Sequence, residues 1–304
     1  MKAARKALVG GGRFELQRHR VVTTVLLLAF VASGFLLPSH NLVAGELSAG
    51  SPMISLIREA ERRHKSLNDQ VADYTCMLVK RERVDGRLLD HEYAELKLRH
   101  RQVRDGRIVV PFSVYLKFFA PAVVQGREVI FVEGRNNGEL IARRGGQRFA
   151  YMTASIDPLG ALAMERNRYP ITQVGIGSLI EETLVVAEEE LQTPAEELQF
   201  RQIDGVRMNG RSCRALQFTH PIRRDRYRYH VARVFVDEEL DLPVRYAAYD
   251  WPDEDGGRPR LLEEYTYLNL KFNVGLTDED FDHRNESYQF NKKFQPELAL
   301  ASRR

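Results

Sequence analysis

The chain has 304 residues, of which 43% are hydrophobic and 29% charged, with a formal net charge of +3. That composition excludes a disordered chain, which lacks the apolar residues to bury a core. The charge is small and much of its positive excess sits near the N-terminus, so it gives no footprint for nucleic acid.

Residues 1–20 hold Lys2, Arg5, Lys6, Arg13, Arg18 and Arg20 against the single acid Glu15. Residues 21–37, VVTTVLLLAFVASGFLL, carry no charge, and Pro38 ends the run. A basic flank before an uncharged run is the pattern of a secretory signal or a signal anchor. The run is short of the roughly 20 residues of a comfortable membrane span. Residues 1–44 are therefore read as an export segment and residues 45–52 as a linker. Val43-Ala44-Gly45 and Leu47-Ser48-Ala49 only partly meet the small-x-small cleavage rule. Cleaved and anchored forms both stay open, and an uncleaved 21–37 would contact the membrane. Export implies the periplasm or cell envelope. No later segment is apolar enough to cross a membrane.

The spacing of Met53, Ile54, Ile57, Ala60 and Leu67 predicts an amphipathic helix over 53–69. Asp73 to Val84 and Leu88 to Arg99 alternate apolar and polar residues around Asp85-Gly86, a hairpin signal. Strands are expected at 108–119 (IVVPFSVYLKFF), 126–134 (GREVIFVEG), GELIARR and QRFAYMT, the last two separated by Gly145-Gly146. The period then changes. A short helix is expected over 157–170 and a longer one over 172–192, with Ile176, Leu179, Ile180, Leu184 and Ala187 on one stripe. A second strand block runs from Leu198 to about Asn273, and 276–282 reads as a one-turn helix capped by Thr277. Residues 291–304 read as a flexible tail. The order implies an α+β fold: one large curved antiparallel sheet, a half-barrel of about 10–11 strands. The N-terminal helix and the central helix pair would cover its open side, in one domain over 53–290.

In an exporting context the two cysteines, Cys76 and Cys213, are expected to form a disulfide tying the two strand blocks together. Two separate buried thiols are the alternative.

Catalytic signatures are missing. There is no GxSxG, no HExxH (His91-Glu92 lacks the second histidine) and no phosphate loop, and GIGSLI at 175–180 is no dinucleotide loop. His220, His230 and Asp225 have the residue types of a metal site, but two histidines at strand ends read better as solvated polar groups. DEDFD at 278–282 lacks the glycine and spacing of a calcium loop. The reading is non-enzymatic, with no cofactor and no metal.

Alternation places Phe112, Val114, Leu116 and Phe118 on one face of a strand, and Ile130 and Val132 on one face of the next. The second block supplies Phe235, Tyr246 and Tyr249. If these faces converge on a concave sheet, they line an apolar cavity for a lipid-like ligand; an ordinary packed core is the alternative.

Two stretches, VADYTCMLVKRERVDGRL and FSVYLKFFAPAVVQGREVIFVEGRNNGEL, resemble an uncharacterised family of exported bacterial domains of unknown function. RVFVDEELDLPVRYAAYDWP and YTYLNLKFNVGLTDEDFD fit the same family, over roughly 53–290. The latter pair is also similar in pattern to the C-terminal half of the periplasmic Lol-type lipoprotein carriers, through Asn273, Gly275, Leu276, Asp278 and Phe281. That similarity implies a half-barrel holding acyl chains under helical lids, with Arg99 as a lid contact, although His100 stands where the carriers have proline. The function implied is a binding protein for an acyl chain or a lipidated partner. The alternative is an envelope regulatory or protein-interaction module of the same fold.

Overall fold

The computed structural model describes residues 52–146, 152–254 and 256–290. The expected export segment 1–44, nearly all of the expected linker 45–52, most of the strand expected at QRFAYMT (147–153) and the expected tail 291–304 lie outside the described residues. Among those described, no helix is long and apolar enough to cross a membrane.

The chain begins with α1 (Pro52–Gln70), then β1 (Asp73–Val84), β2 (Arg87–Leu88), β3 (Glu92–Arg99), β4 (Gln102–Arg104) and β5 (Arg107–Val110). There follow β6 (Ser113–Ala120), β7 (Glu128–Val132), β8 (Leu140–Arg143), β9 (Thr153–Ile156), α2 (Ala161–Met164) and α3 (Ile176–Glu190). The second block is β10 (Gln199–Met208), β11 (Arg211–Thr219), β12 (Val231–Asp237), β13 (Leu242–Asp250) and β14 (Arg260–Phe272). The main sheet runs β10-β11-β12-β13-β14-β1-β3-β6-β7-β8-β9, with β2 paired to β1. Every pairing is antiparallel. The two blocks join where β1 pairs with β14, and the sheet stays open, with β10 and β9 as its edges.

The main core lies on the face beneath the helices, called here the inner face. Alternate residues of β1 (Tyr74, Cys76, Leu78), β3 (Ala94, Leu96, Leu98) and β6 (Val114, Leu116, Phe118) meet Leu67 of α1 and Ile176 and Ile180 of α3. Leu96 and Leu98 are fully buried, each gaining about 1.5–3 kcal/mol. Gly175 makes the approach of α3 achievable. It has φ +117, and a Cβ there would stand 2.6 Å from Leu98 Cδ1 and 2.8 Å from Tyr74 Oη. The close contact lets the Ile176 N–H donate to Tyr74 Oη at 2.9 Å.

The outer face is covered too. Tyr115 of β6 and Ile130 and Val132 of β7 pack against Phe281, Tyr288 and Phe290. This explains why FSVYLKFF is apolar almost throughout: a strand buried on both faces loses its alternation. The chain that covers this face is anchored at its start by Asp73, whose carboxylate accepts from the N–H groups of Val274, Gly275 and Leu276. Asn273 accepts from the Ala72 N–H and donates to the Gln70 carbonyl.

Several expectations are corrected. The helix expected over 157–170 is reduced to the single turn α2. The strand expected over 108–119 breaks at Pro111 into β5 and β6, and β5 pairs with β4 in a separate two-stranded hairpin. The Cys76–Cys213 disulfide does not form: both thiols are free and buried. Cys76 lies on β1 and Cys213 on β11, four strand spacings apart in the sheet, or about 19 Å along it. Alternation also puts them on opposite faces, since Cys76 shares the inner core while Cys213 sits out of phase with inward-facing Leu216.

Candidate functional site

The inner face has two regions. Over β11–β13, α1 and α3 roof a seam of about 50 Å³ lined by Leu56, Ile57, Ile180, Leu184, Leu216 and Val234. Along the C-terminal half of α1 lies an open cleft of about 470 Å³, bounded by the β12–β13 turn and Phe272. Arg63 of α1 lines both. Among the described apolar side chains of the helix, Ile57 and Leu67 alone are buried, at 8% and 2% exposure. Ion pairs tie it to the sheet: Arg63 to Asp241 at 2.5 Å and Arg214 to Glu59 at 2.6 Å. His64 links it to Glu181 of α3 at 3.2 Å.

The second region is charged. On three adjacent strands the inward stripe turns from apolar to ionic in register: Lys80 is opposite both Tyr265 and Glu92, and Glu82 is opposite Glu263. Segment 166–169 closes over it. Arg166 donates to Glu92 at 3.0 Å and Arg168 to Glu263 at 2.7 Å. Tyr169 Oη donates to Glu263 at 3.0 Å, Tyr265 Oη to Glu82 at 2.6 Å, and Lys80 to Glu82 at 3.2 Å and Asn167 Oδ1 at 2.5 Å. Burial pushes the Glu263 carboxyl above its ordinary value, against the pull of Arg168. Burial likewise pushes the Tyr246 and Tyr265 phenols well up. Every carboxylate here has a cationic partner, so the arrangement holds a segment in place rather than offering a free acid or base.

A third cluster fastens the C-terminus of α3. His220 is fully buried, with Nε2 2.8 Å from Glu190 Oε1 and Nδ1 3.0 Å from the Glu197 carbonyl. It is not the solvated strand-end residue expected from the sequence. Burial alone would raise Glu190, but the bonds from His220, Thr193 and Tyr229 outweigh it and hold the carboxyl below its ordinary value. Among the described residues no group of three or more His, Cys, Asp or Glu is placed to hold a metal ion.

The expected cavity residues divide. Val114, Leu116 and Phe118 lie in the inner core, with Phe112 half-buried beside it. Tyr246 also faces inward, at the seam. Ile130 and Val132 face outward under the C-terminal chain. Phe235, opposite Ala215 and Arg245, is on the outer face, where the Arg245 guanidinium lies 5.6 Å from its ring. Tyr249 is also outward, with Arg233 at 5.5 Å. Arg99 makes no lid contact. It points outward, pairs with Asp278 at 2.7 Å and lies 5.0 Å over the Phe281 ring. Missed by sequence reasoning were Leu56, Leu216, Val234 and the charged stripe, although Lys80 and Glu82 share the parity of Tyr74, Cys76 and Leu78.

The family model described as a protein of unknown function, DUF1571, matches residues 71–290. The chain belongs to the DUF1571 family. No curated protein matches it. Among solved structures, this DUF1571 protein is similar to a DUF1329 family protein from Desulfovibrio piger, at 16% identity and TM-score 0.36, covering 77% of this chain and 98% of that one. It is also similar to a LolA superfamily protein from Nitrosomonas europaea, at 10% identity and TM-score 0.30, covering 74% and 97%. A third is the MucA/MucB complex from Pseudomonas aeruginosa, at 18% identity and TM-score 0.38, where the match covers 74% of this chain and 60% of that one.

Proposed function

We propose that this DUF1571 protein is a non-enzymatic, exported binding protein of the cell envelope that takes an acyl chain, free or on a lipidated partner, beneath α1. One observation carries the reading: the seam between α1, α3 and β11–β13 is walled by aliphatic side chains on all three elements. Each methylene entering it would gain about 0.8 kcal/mol. At about 50 Å³ the seam is too small to take an acyl chain as it stands, so entry requires α1 to lift, and α1 is held by the burial of Ile57 and Leu67 and by ion pairs at the rim. Titration with a fluorescent acyl probe tests this. Saturable binding should be lost in Ala187→Trp, whose indole fills the seam, with circular dichroism unchanged. Binding unaffected by that substitution would refute the site.

A second reading has its own support. The inner face over β1, β3 and β6 is filled rather than hollow. That favours an envelope interaction module without a ligand cavity, and it stands if the wild-type protein shows no saturable probe binding.

A further inference from the structure

Strands β4 and β5 form a hairpin that pairs with no strand of the main sheet. Its turn residues Asp105 and Gly106 both have positive φ, 50° and 72°, the conformation that a two-residue hairpin turn requires. Across the ladder Val103 is opposite Ile108 and Arg104 is opposite Arg107. Val103, Ile108 and Val109 are 55%, 51% and 49% exposed. One β-branched residue in water is ordinary; three on one short arm are not. Arg104 and Arg107 are exposed and make no ion pair among the described residues. The nearby Arg101 is paired to Glu133. The tip therefore offers two guanidinium groups against the single carboxylate of Asp105.

We infer that the β4–β5 hairpin docks on the surface of an anionic lipid bilayer. The arginines would reach the headgroup phosphates while Val103, Ile108 and Val109 enter the boundary with the acyl chains. Charge complementarity selects this occupant, because a basic tip beside the exposed Val103–Ile108 pair and the unpaired Val109 next to it is the combination that binds anionic interfaces. The inference is independent of the seam and of what the seam holds.

The test uses the full chain carrying Val109→Cys labelled with an environment-sensitive nitrobenzoxadiazole dye. The native thiols Cys76 and Cys213 are 6% and 0% exposed, so the label goes to the hairpin. Vesicles containing phosphatidylglycerol should shift the dye emission to the blue and brighten it, more weakly at high salt. Pure phosphatidylcholine vesicles should do little. Arg104→Gln/Arg107→Gln should weaken the response to anionic vesicles by roughly thirtyfold, about fivefold per arginine. These side chains are exposed, so folding is not at stake and circular dichroism confirms it. Unchanged emission on phosphatidylglycerol vesicles would overturn the inference, including when the protein sediments with them through another segment. An equal response to phosphatidylcholine that survives both arginine substitutions would overturn it too. A blue shift seen only with another protein would assign the hairpin to a protein partner instead.

Discussion

Replacing Arg63 and Arg214 together by methionine removes both ion pairs between α1 and the sheet while keeping most of each side chain's apolar stem. Arg63 is largely buried, but Asp241 is 59% exposed, and Arg214 and Glu59 are 24% and 30% exposed. Solvent screening at such sites leaves about 1 kcal/mol for each pair, or about 2 kcal/mol in all. Burial of Ile57 and Leu67 supplies about 3–6 kcal/mol of the hold on α1, so the double variant weakens the helix attachment without abolishing it. Native-state hydrogen exchange reads this locally: amides of α1 should exchange about thirtyfold faster, while those of β3 keep their rates. If lifting α1 is the step that admits a ligand, acyl-probe affinity should rise by up to the same factor, because less free energy is needed to reach the open state. Equal acceleration in α1 and β3, or none in α1, would refute the picture of a helix latched at its rim.

Phe281→Ala should destabilise the protein by about 3–5 kcal/mol, read as a lower urea midpoint, because Phe281 is 3% exposed in the outer core and lies under Arg99. Glu190 contributes stability above its ordinary pKa of 4.5 that is lost as pH falls through its depressed folded value. Glu190→Gln should therefore lower stability at neutral pH and flatten the acid limb of a pH–stability profile; an unchanged acid limb would contradict the His220–Glu190 contact. Burial raises the Cys76 and Cys213 thiols above their ordinary range. A thiol reagent should find no reactive group in the native protein and two after unfolding, where a disulfide would leave none.

The sequence was most legible where local chemistry decides the outcome. Asp85-Gly86 turns the hairpin at positive φ, the apolar spacing of 53–69 gives α1, and DEELD gives the β12–β13 turn. The faces of the strands were harder to read. Alternation states which residues share a face, not which face meets the helices. Chain 276–290 buries the outer face as well, so Ile130 and Val132 are as apolar as inner residues while pointing the other way. Phe235 and Tyr249 depart from expectation for a related reason: an aromatic ring on a strand reads as interior, yet each has an outer-face arginine over it. The motif through Asn273, Gly275, Leu276, Asp278 and Phe281 is carrier-like in pattern. In the fold it closes the strap over the outer face, which is also where Arg99 acts. The disulfide failed because strand order was not available: nothing local in the sequence says that three strands separate β1 from β11.

Whether an acyl chain occupies the seam beneath α1 is decided by native mass spectrometry of the protein extracted from membranes. A one-to-one adduct with the mass of an acyl-bearing molecule is expected, and it should be lost in Ala187→Trp. A bare polypeptide mass in the wild type, after extraction mild enough to keep known lipid complexes intact, would contradict it.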